Sequence, residues 1–143
     1  MFLGEFQHAV DDKNRLILPA KFREAFADGL IFTKGFENCL FVFSRAEWPR
    51  IEEKIRSLQL LKKDSRKLSR FFFGGASEEV LDKSGRVVIP ANLKAFAELE
   101  KDVVIVGVSN RLEIWSKANW ERYVAEAGRS YEDTAEELAD IGL

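Results

Sequence analysis

Two arginines carry the strongest chemical pattern in the chain. Arg15 and Arg86 each stand four residues after an aspartate, in Asp11-Asp12-Lys13-Asn14-Arg15 and Asp82-Lys83-Ser84-Gly85-Arg86. An aspartate heading such a stretch accepts hydrogen bonds from turn amides and pins the loop. Asn14 and Gly85 occupy one equivalent position, and these two residue types best tolerate left-handed backbone. A pinned turn that presents a guanidinium suits phosphate contact or bidentate reading of guanine. Its order before binding also lowers the entropy lost on binding. The spacing leaves a second reading open, in which Arg15 and Arg86 form structural ion pairs with Asp11 and Asp82. Lys13, Lys83, Lys21 and Arg23 lie close in sequence and are placed to add contacts to a nucleic-acid backbone.

Catalysis has less to work with. His8 and Cys39 are the only residues of their types, so no Cys/His cluster or metal-ligand spacing exists. His8 reads as a hydrogen-bonded strand residue, and Cys39 as a small hydrophobe. Asp11 and Asp82 could pair as catalytic carboxylates across the repeat, but each has a sufficient local role in its turn. No glycine motif that cradles phosphates is present. The reading is therefore of a protein that is not an enzyme and needs no metal, cofactor or small-molecule substrate.

The two turns belong to a larger duplication. Residues 11–20 align with 82–91 at an offset of 71, and Phe2 and Gly4 fall on Phe73 and Gly75. After a one-residue slip, Gly35, Leu40, Ser44, Ala46 and Trp48 fall on Gly107, Leu112, Ser116, Ala118 and Trp120. Each half, at about 70 residues, would bury only a marginal core alone, so the halves are expected to interlock. A duplicated, pseudo-twofold unit favours a pair of arginines facing DNA.

Each half predicts the same elements. Strands at 6–10 and 78–81 lead into the turns. Leu16-Ile17-Leu18 and Val87-Val88-Ile89 follow as second strands, apolar on both faces and so expected to be buried. Pro19 and Pro90 end these strands and open short helices, the first over 20–26 and stopping near Gly29. Hairpins come next, 30–33 with 39–43 and 103–106 with 112–115. Closing helices start near Trp48, where Ser44 and Glu47 offer a capping box ahead of Pro49, and near Ser116. Residues 60–72 predict an extra helix joining the halves. It carries Lys62, Lys63, Arg66, Lys67 and Arg70 near one face, as a second basic contact or a solvated face. Phe71-Phe72-Phe73 reads as core or subunit interface. The expected class is α+β, with short strands in a small barrel and helices packed around it.

Charge and composition set the outer bounds. The 143 residues hold 22 Lys+Arg against 24 Asp+Glu, a formal net charge of -2, which argues against indiscriminate nucleic-acid binding. That average hides an asymmetry: residues 1–72 carry 14 basic and 10 acidic side chains, net +4, and residues 73–143 carry 8 and 14, net -6. Glu126, Glu132, Asp133, Glu136, Glu137 and Asp140 face only Arg129 at the end, and read as a solvated helix face or frayed tail. No run reaches the ~18 apolar residues of a membrane span, and the first residues lack the layout of a secretory signal. A single cysteine makes no internal disulfide. Cytoplasmic residence is the expectation.

The paired Asp-x-x-x-Arg turns, each followed by aliphatics and Pro-Ala, resemble the MraZ family of bacterial regulators with two SpoVT-AbrB-type domains. The opening Phe2-Leu3-Gly4-Glu5-Phe6-Gln7-His8, the linker Arg70-Phe71-Phe72-Phe73-Gly74-Gly75-Ala76 and the stretch Val106-Gly107-Val108-Ser109-Asn110-Arg111 are similar to it too. The resemblance covers residues 1–125. It implies a duplicated swapped-hairpin AbrB-like β-barrel with peripheral helices. Its units would be a first domain at 5–48, a helical linker at 49–75 and a second domain at 76–120; an acidic helical segment at 121–143 follows from the residues themselves, since the resemblance ends at 125. It also implies sequence-specific binding of double-stranded DNA at the promoter of the division and cell-wall gene cluster, usually as a repressor. The DNA would carry short direct repeats, and the protein would assemble into a closed ring associated with the nucleoid. Arg15 and Arg86 then become the DNA contacts, and Asp11, Asn14, Asp82 and Gly85 the residues that support their turns. Asn14 stands where the family commonly has Gly, with little conformational consequence. A ring-forming module whose Arg15 and Arg86 face a protein partner is the alternative.

Overall fold

The duplication organises the element order in a computed structural model, which describes residues 1–138 and Gly142. The first half runs β1 (Phe2–Ala9), β2 (Arg15–Ile17), two 3-10 turns (Ala20–Phe22 and Glu24–Phe26), β3 (Leu30–Lys34), β4 (Leu40–Ser44) and α1 (Trp48–Arg56). Helix α2 (Lys63–Gly74) joins it to β5 (Ser77–Glu79), β6 (Arg86–Val88), α3 (Ala91–Phe96), β7 (Asp102–Ser109), β8 (Leu112–Ser116) and α4 (Lys117–Ala127). A 3-10 turn (Gly128–Ser130) and α5 (Tyr131–Glu137) follow. Asp140, the last of the acidic residues, lies outside the described residues.

The halves interlock through strand exchange. Six strands form one antiparallel sheet in the order β1-β7-β8-β4-β3-β5, so each half's first strand pairs with the other half's hairpin. A separate two-stranded ribbon joins β2 to β6. The sheet is mixed with helices as an α+β fold, and it is open, with β1 and β5 at its edges; no closed barrel is seen among the described residues.

Both faces of the sheet are covered, which explains why β3 and β4 read as almost continuous apolar runs. Alternate residues serve different cores. Leu30, Phe32, Leu40, Val42, Leu112 and Ile114 face a large core filled from the ribbon side by Leu16, Leu18, Phe22, Phe26, Val87, Ile89 and Leu93. Phe41, Phe43 and Trp115 face a smaller aromatic core, closed by Phe72 of α2 and partly by Trp48, Ile51 and Trp120. Thr33, buried between strands, donates its hydroxyl to Phe72 O at 2.5 Å.

Three local expectations are corrected, and a fourth, the run Phe71-Phe72-Phe73, is borne out as core at Phe72. Residues 20–26 form two 3-10 turns that bury Phe22 and Phe26, whereas the equivalent segment of the second half forms the short helix α3. Strand β5 ends at Glu79, where its partner β3 begins at Leu30 and pairing runs out, leaving Val80 and Leu81 outside. The second strands are buried on one face only: Leu16, Leu18, Val87 and Ile89 are buried while Ile17 and Val88 are exposed. Of the three phenylalanines, Phe72 is core, Phe73 is half-buried and Phe71 is exposed. Ser116 caps α4 as the sequence predicts, its Oγ accepting from Asn119 N at 3.0 Å, whereas Ser44 Oγ accepts from Glu47 N at 3.2 Å in the turn ahead of α1, whose N-cap Glu47 makes no side-chain capping bond.

Candidate nucleic-acid interface

The two Asp-x-x-x-Arg stretches fold into the same hydrogen-bonded turn. Asp11 Oδ1 accepts from the Lys13 and Arg15 amides, both at 2.9 Å, and Asp82 Oδ1 accepts from the Ser84 and Arg86 amides, both at 2.9 Å. Backbone bonds Asn14 N to Asp11 O and Gly85 N to Asp82 O, each 3.0 Å, close the loops. The return bonds Asp11 N to Arg15 O and Asp82 N to Arg86 O measure 3.0 and 2.8 Å. Asn14 at φ 60° and Gly85 at φ 79° take the left-handed position that sequence assigned them.

Each aspartate also holds its arginine. Arg15 Nε donates to Asp11 Oδ2 at 2.7 Å, and Arg86 Nε donates to Asp82 Oδ2 at 2.7 Å. Hydrogen bonds from the arginine amide first, then from the guanidinium and the second turn amide, hold both carboxyls below their ordinary range. The ion pairs are therefore real, yet they engage only the Nε edge. The terminal nitrogens of both guanidinia have no hydrogen-bond partner among the described residues, so the carboxylate orients the fork and leaves its outer edge open.

The ribbon brings the two arginines together. Its register pairs Arg15 with Val88, Leu16 with Val87 and Ile17 with Arg86, a pattern symmetric about the central pair. Side chains alternate across a strand, so Leu16 and Val87 point into the core while Arg15, Ile17, Arg86 and Val88 share the outer face. The arginine Cα atoms are two residues apart along the ribbon and one strand across, roughly 8 Å. Because the strands run antiparallel, the turns bearing Lys13 and Lys83 sit at opposite ends, with both lysines exposed.

Each turn is buttressed by the other half. Leu18 N donates to Gly85 O at 3.0 Å and Ile89 N to Asn14 O at 2.8 Å. Lys94 Nζ donates to Asn14 Oδ1 at 2.8 Å, and Arg23, whose Nε donates to Leu18 O at 3.0 Å, lies over Gly85. A Cβ on Gly85 would come within 2.4 Å of Arg23 Nε. Lys94 was not among the sequence candidates, although it stands 71 residues after Arg23 and so was marked by the repeat itself. Lys21 is exposed, its ammonium 4.7 Å from the Phe6 ring centre and 5.2 Å from that of Phe22. His8 is half-buried and its pKa is lowered, by partial burial first and by the Arg23 charge second. Burial pushes the Cys39 thiol well above its ordinary value, so it is inert as a nucleophile.

Among the described residues no group of three His, Cys, Asp or Glu side chains could hold a metal ion, and no helix is long and apolar enough to cross a membrane. The family described as "MraZ protein, putative antitoxin-like" matches the chain twice, over residues 1–71 and 72–141. The chain belongs to the MraZ family. Curated MraZ relatives match it end to end. One from Natranaerobius thermophilus is 52% identical over 143 residues, covering 100% of both chains. Another from Desulforamulus reducens is 52% identical over 141 residues, 99% of each, and one from Acetivibrio thermocellus is 51% identical over 143 residues, 100% of each. All three carry the name transcriptional regulator MraZ.

Proposed function

We propose that this MraZ chain is a sequence-specific DNA-binding transcriptional regulator that is not an enzyme. The observation that carries the reading is the placement of Arg15 and Arg86 on one outer face of a single two-stranded ribbon. A major groove about 12 Å wide admits such a ribbon, and a guanidinium with an open Nη edge can reach guanine O6 and N7 or a phosphate. Lys13 and Lys83, at the two ends of the ribbon, fall where the flanking phosphates would run. Lys21 adds to that backbone contact, and Arg23 contributes chiefly by holding the second turn. The Asp11 and Asp82 carboxylates cancel much of each guanidinium's net charge, so the gain lies in direction and order rather than in bulk attraction.

This reading includes the finer features that the family resemblance and the residues imply. The exchanged first strands and the β2–β6 ribbon form a swapped-hairpin AbrB-like arrangement of two units, at 5–48 and 76–120, with a helical linker at 49–75 and an acidic segment at 121–143. Copies assemble into a ring in the cytoplasm, on the nucleoid, and repress the division and cell-wall cluster by binding direct repeats in its promoter. Weak contacts from successive subunits then add through effective concentration, which suits a chain of net charge -2.

The test is a footprint on DNA upstream of the protein's own gene, with Arg15→Ala and Arg86→Ala beside the unaltered chain. Regularly spaced protection that both substitutions abolish, without loss of folding or assembly, supports the reading. Phosphate contacts also require affinity to fall steeply as salt rises. Binding insensitive to salt and sequence, or to both substitutions, would instead assign the arginine face to a protein partner.

A further inference from the structure

An exposed acidic helix near the end of the chain and a basic-rimmed groove on the first half carry opposite charge. Every residue from 128 to 138 is exposed, so α5 projects without covering the body of its own chain. Tyr131 and Ala135 fall at i and i+4 on one face of α5, with Leu138 just past its last turn, and Tyr131 and Leu138 are 75% and 56% exposed. Glu132 and Glu136 run along one side of that face, Asp133 and Glu137 along the other. An acidic helix with an apolar face and nothing packed on it calls for a groove with an apolar floor and a basic rim.

One such groove lies between α1 and α2. Ile55, Leu58 and Leu60 form its floor, Arg56, Arg66 and Arg70 its rim, and its volume is about 400 Å³. No acidic side chain lines it, and Leu60 is 77% exposed. Arg66 Nη1 donates to Leu60 O at 3.1 Å and fixes the loop between the helices, and Arg56 lies 3.8 Å from Glu53. Arg70 has no ion-pair partner among the described residues. The arginine face of the ribbon is a poorer receptor, since Asp11 and Asp82 already neutralise its guanidinia.

We propose that α5 of one copy docks into the Arg56/Arg66/Arg70 groove of the next copy, as a head-to-tail contact between subunits. The inference rests on the self-assembly part of the proposed function and names the surfaces that build it. A head-to-tail contact uses two different patches of each subunit and closes into a ring when the rotation permits. Closure lets a small contact succeed, because every subunit engages both patches and effective concentration multiplies them. It also gives the charge imbalance between residues 1–72 and 73–143 a role in assembly.

Charge reversal in the full chain tests it by sedimentation velocity at micromolar concentration. Groove variant Arg56→Glu/Arg70→Glu and helix variant Glu132→Arg/Glu136→Arg leave Arg66 and the cores untouched. Each alone should weaken assembly by about tenfold or more, shifting mass toward the 16.4 kDa monomer. An equimolar mixture of the two should regain the original mass, because each then offers the other a matched pair of surfaces. Failure of the mixture to recover overturns the proposal. If one chain carrying all four changes recovers alone while the mixture does not, α5 docks within its own chain and the contact between copies is refuted. Unchanged mass in both variants refutes α5 docking but leaves self-assembly standing. A monomeric unaltered chain removes self-assembly itself.

Discussion

The turn ending in Arg15 and the turn ending in Arg86 have matching backbones held by different chemistry. In the first, Asn14 supplies a side-chain oxygen and Lys94 of the other half donates to it. In the second, Gly85 supplies nothing and Arg23 of the other half fills the vacated space. The tips differ too, Asp12-Lys13 against Lys83-Ser84, so the first turn sums to no net charge and the second to +1 across 82–86. Arg15 is 28% exposed and Arg86 36%. What is shared is the aspartate geometry that aims the guanidinium; what has diverged is how each turn is supported and what charge surrounds it.

The largest test of that comparison is the pair of alanine substitutions. Arg15→Ala and Arg86→Ala should each lower operator affinity by about 1–3 kcal/mol per contact, with stability changed by less than ~1 kcal/mol because both pairs are partly solvated. Quantitative DNA titrations beside thermal melts check both numbers. Equal losses mean that two equivalent turns read DNA. A loss confined to one means that the ribbon is functionally one-sided.

Transplanting one turn's support into the other should have the next largest effect. Gly85→Asn keeps a residue that tolerates φ 79° but drives its Cβ into Arg23, at an expected cost of ~1–2 kcal/mol. Adding Arg23→Lys recreates the Asn14–Lys94 pairing and should recover much of that loss, with a coupling energy of about 1 kcal/mol in urea unfolding. Strict additivity would show that the two supports are not interchangeable units.

Much of this comparison was legible in the residues. The aspartate, the left-handed position and the arginine are local, so Asp11, Asn14, Arg15 and their repeats could be placed by turn chemistry alone. The pairing of β2 with β6 was not, because register between distant strands is set by the core both must fill. Three consecutive aliphatics do not say which faces water, and so the exposure of Ile17 and Val88 became clear only with that pairing. Lys94, and the supporting role of Arg23, escaped for the same reason: each acts on a turn about sixty to eighty residues away. The offset that links them was present in the sequence, but its meaning needed the strand exchange.

Tip charge gives a smaller effect. Lys83→Ala should flatten the salt dependence of DNA binding by about one unit of slope and weaken all sequences alike. Lys13→Ala should do less, since Asp12 beside it already offsets its charge. Asp12→Lys, which gives the first tip the residue found in the second, should steepen the slope. Affinities measured across a salt series separate these outcomes; identical slopes for all three variants would mean that neither tip meets phosphate.

The smallest effect reads the second turn from a distance. His8 lies in β1, and its lowered pKa owes most to partial burial and the remainder to the charge of Arg23. A histidine held below its unfolded value opposes protonation in the folded state, so stability falls as pH drops from about 6.5 toward the folded value and levels off beneath it. Arg23→Gln removes the charge but leaves the burial. His8 should then titrate higher, though still below its ordinary value, and the loss of stability on acidification should shrink. Proton NMR of the single imidazole follows this directly. A His8 pKa that stays put in Arg23→Gln would place Arg23 elsewhere in solution, and the second turn would lose the support that distinguishes it from the first.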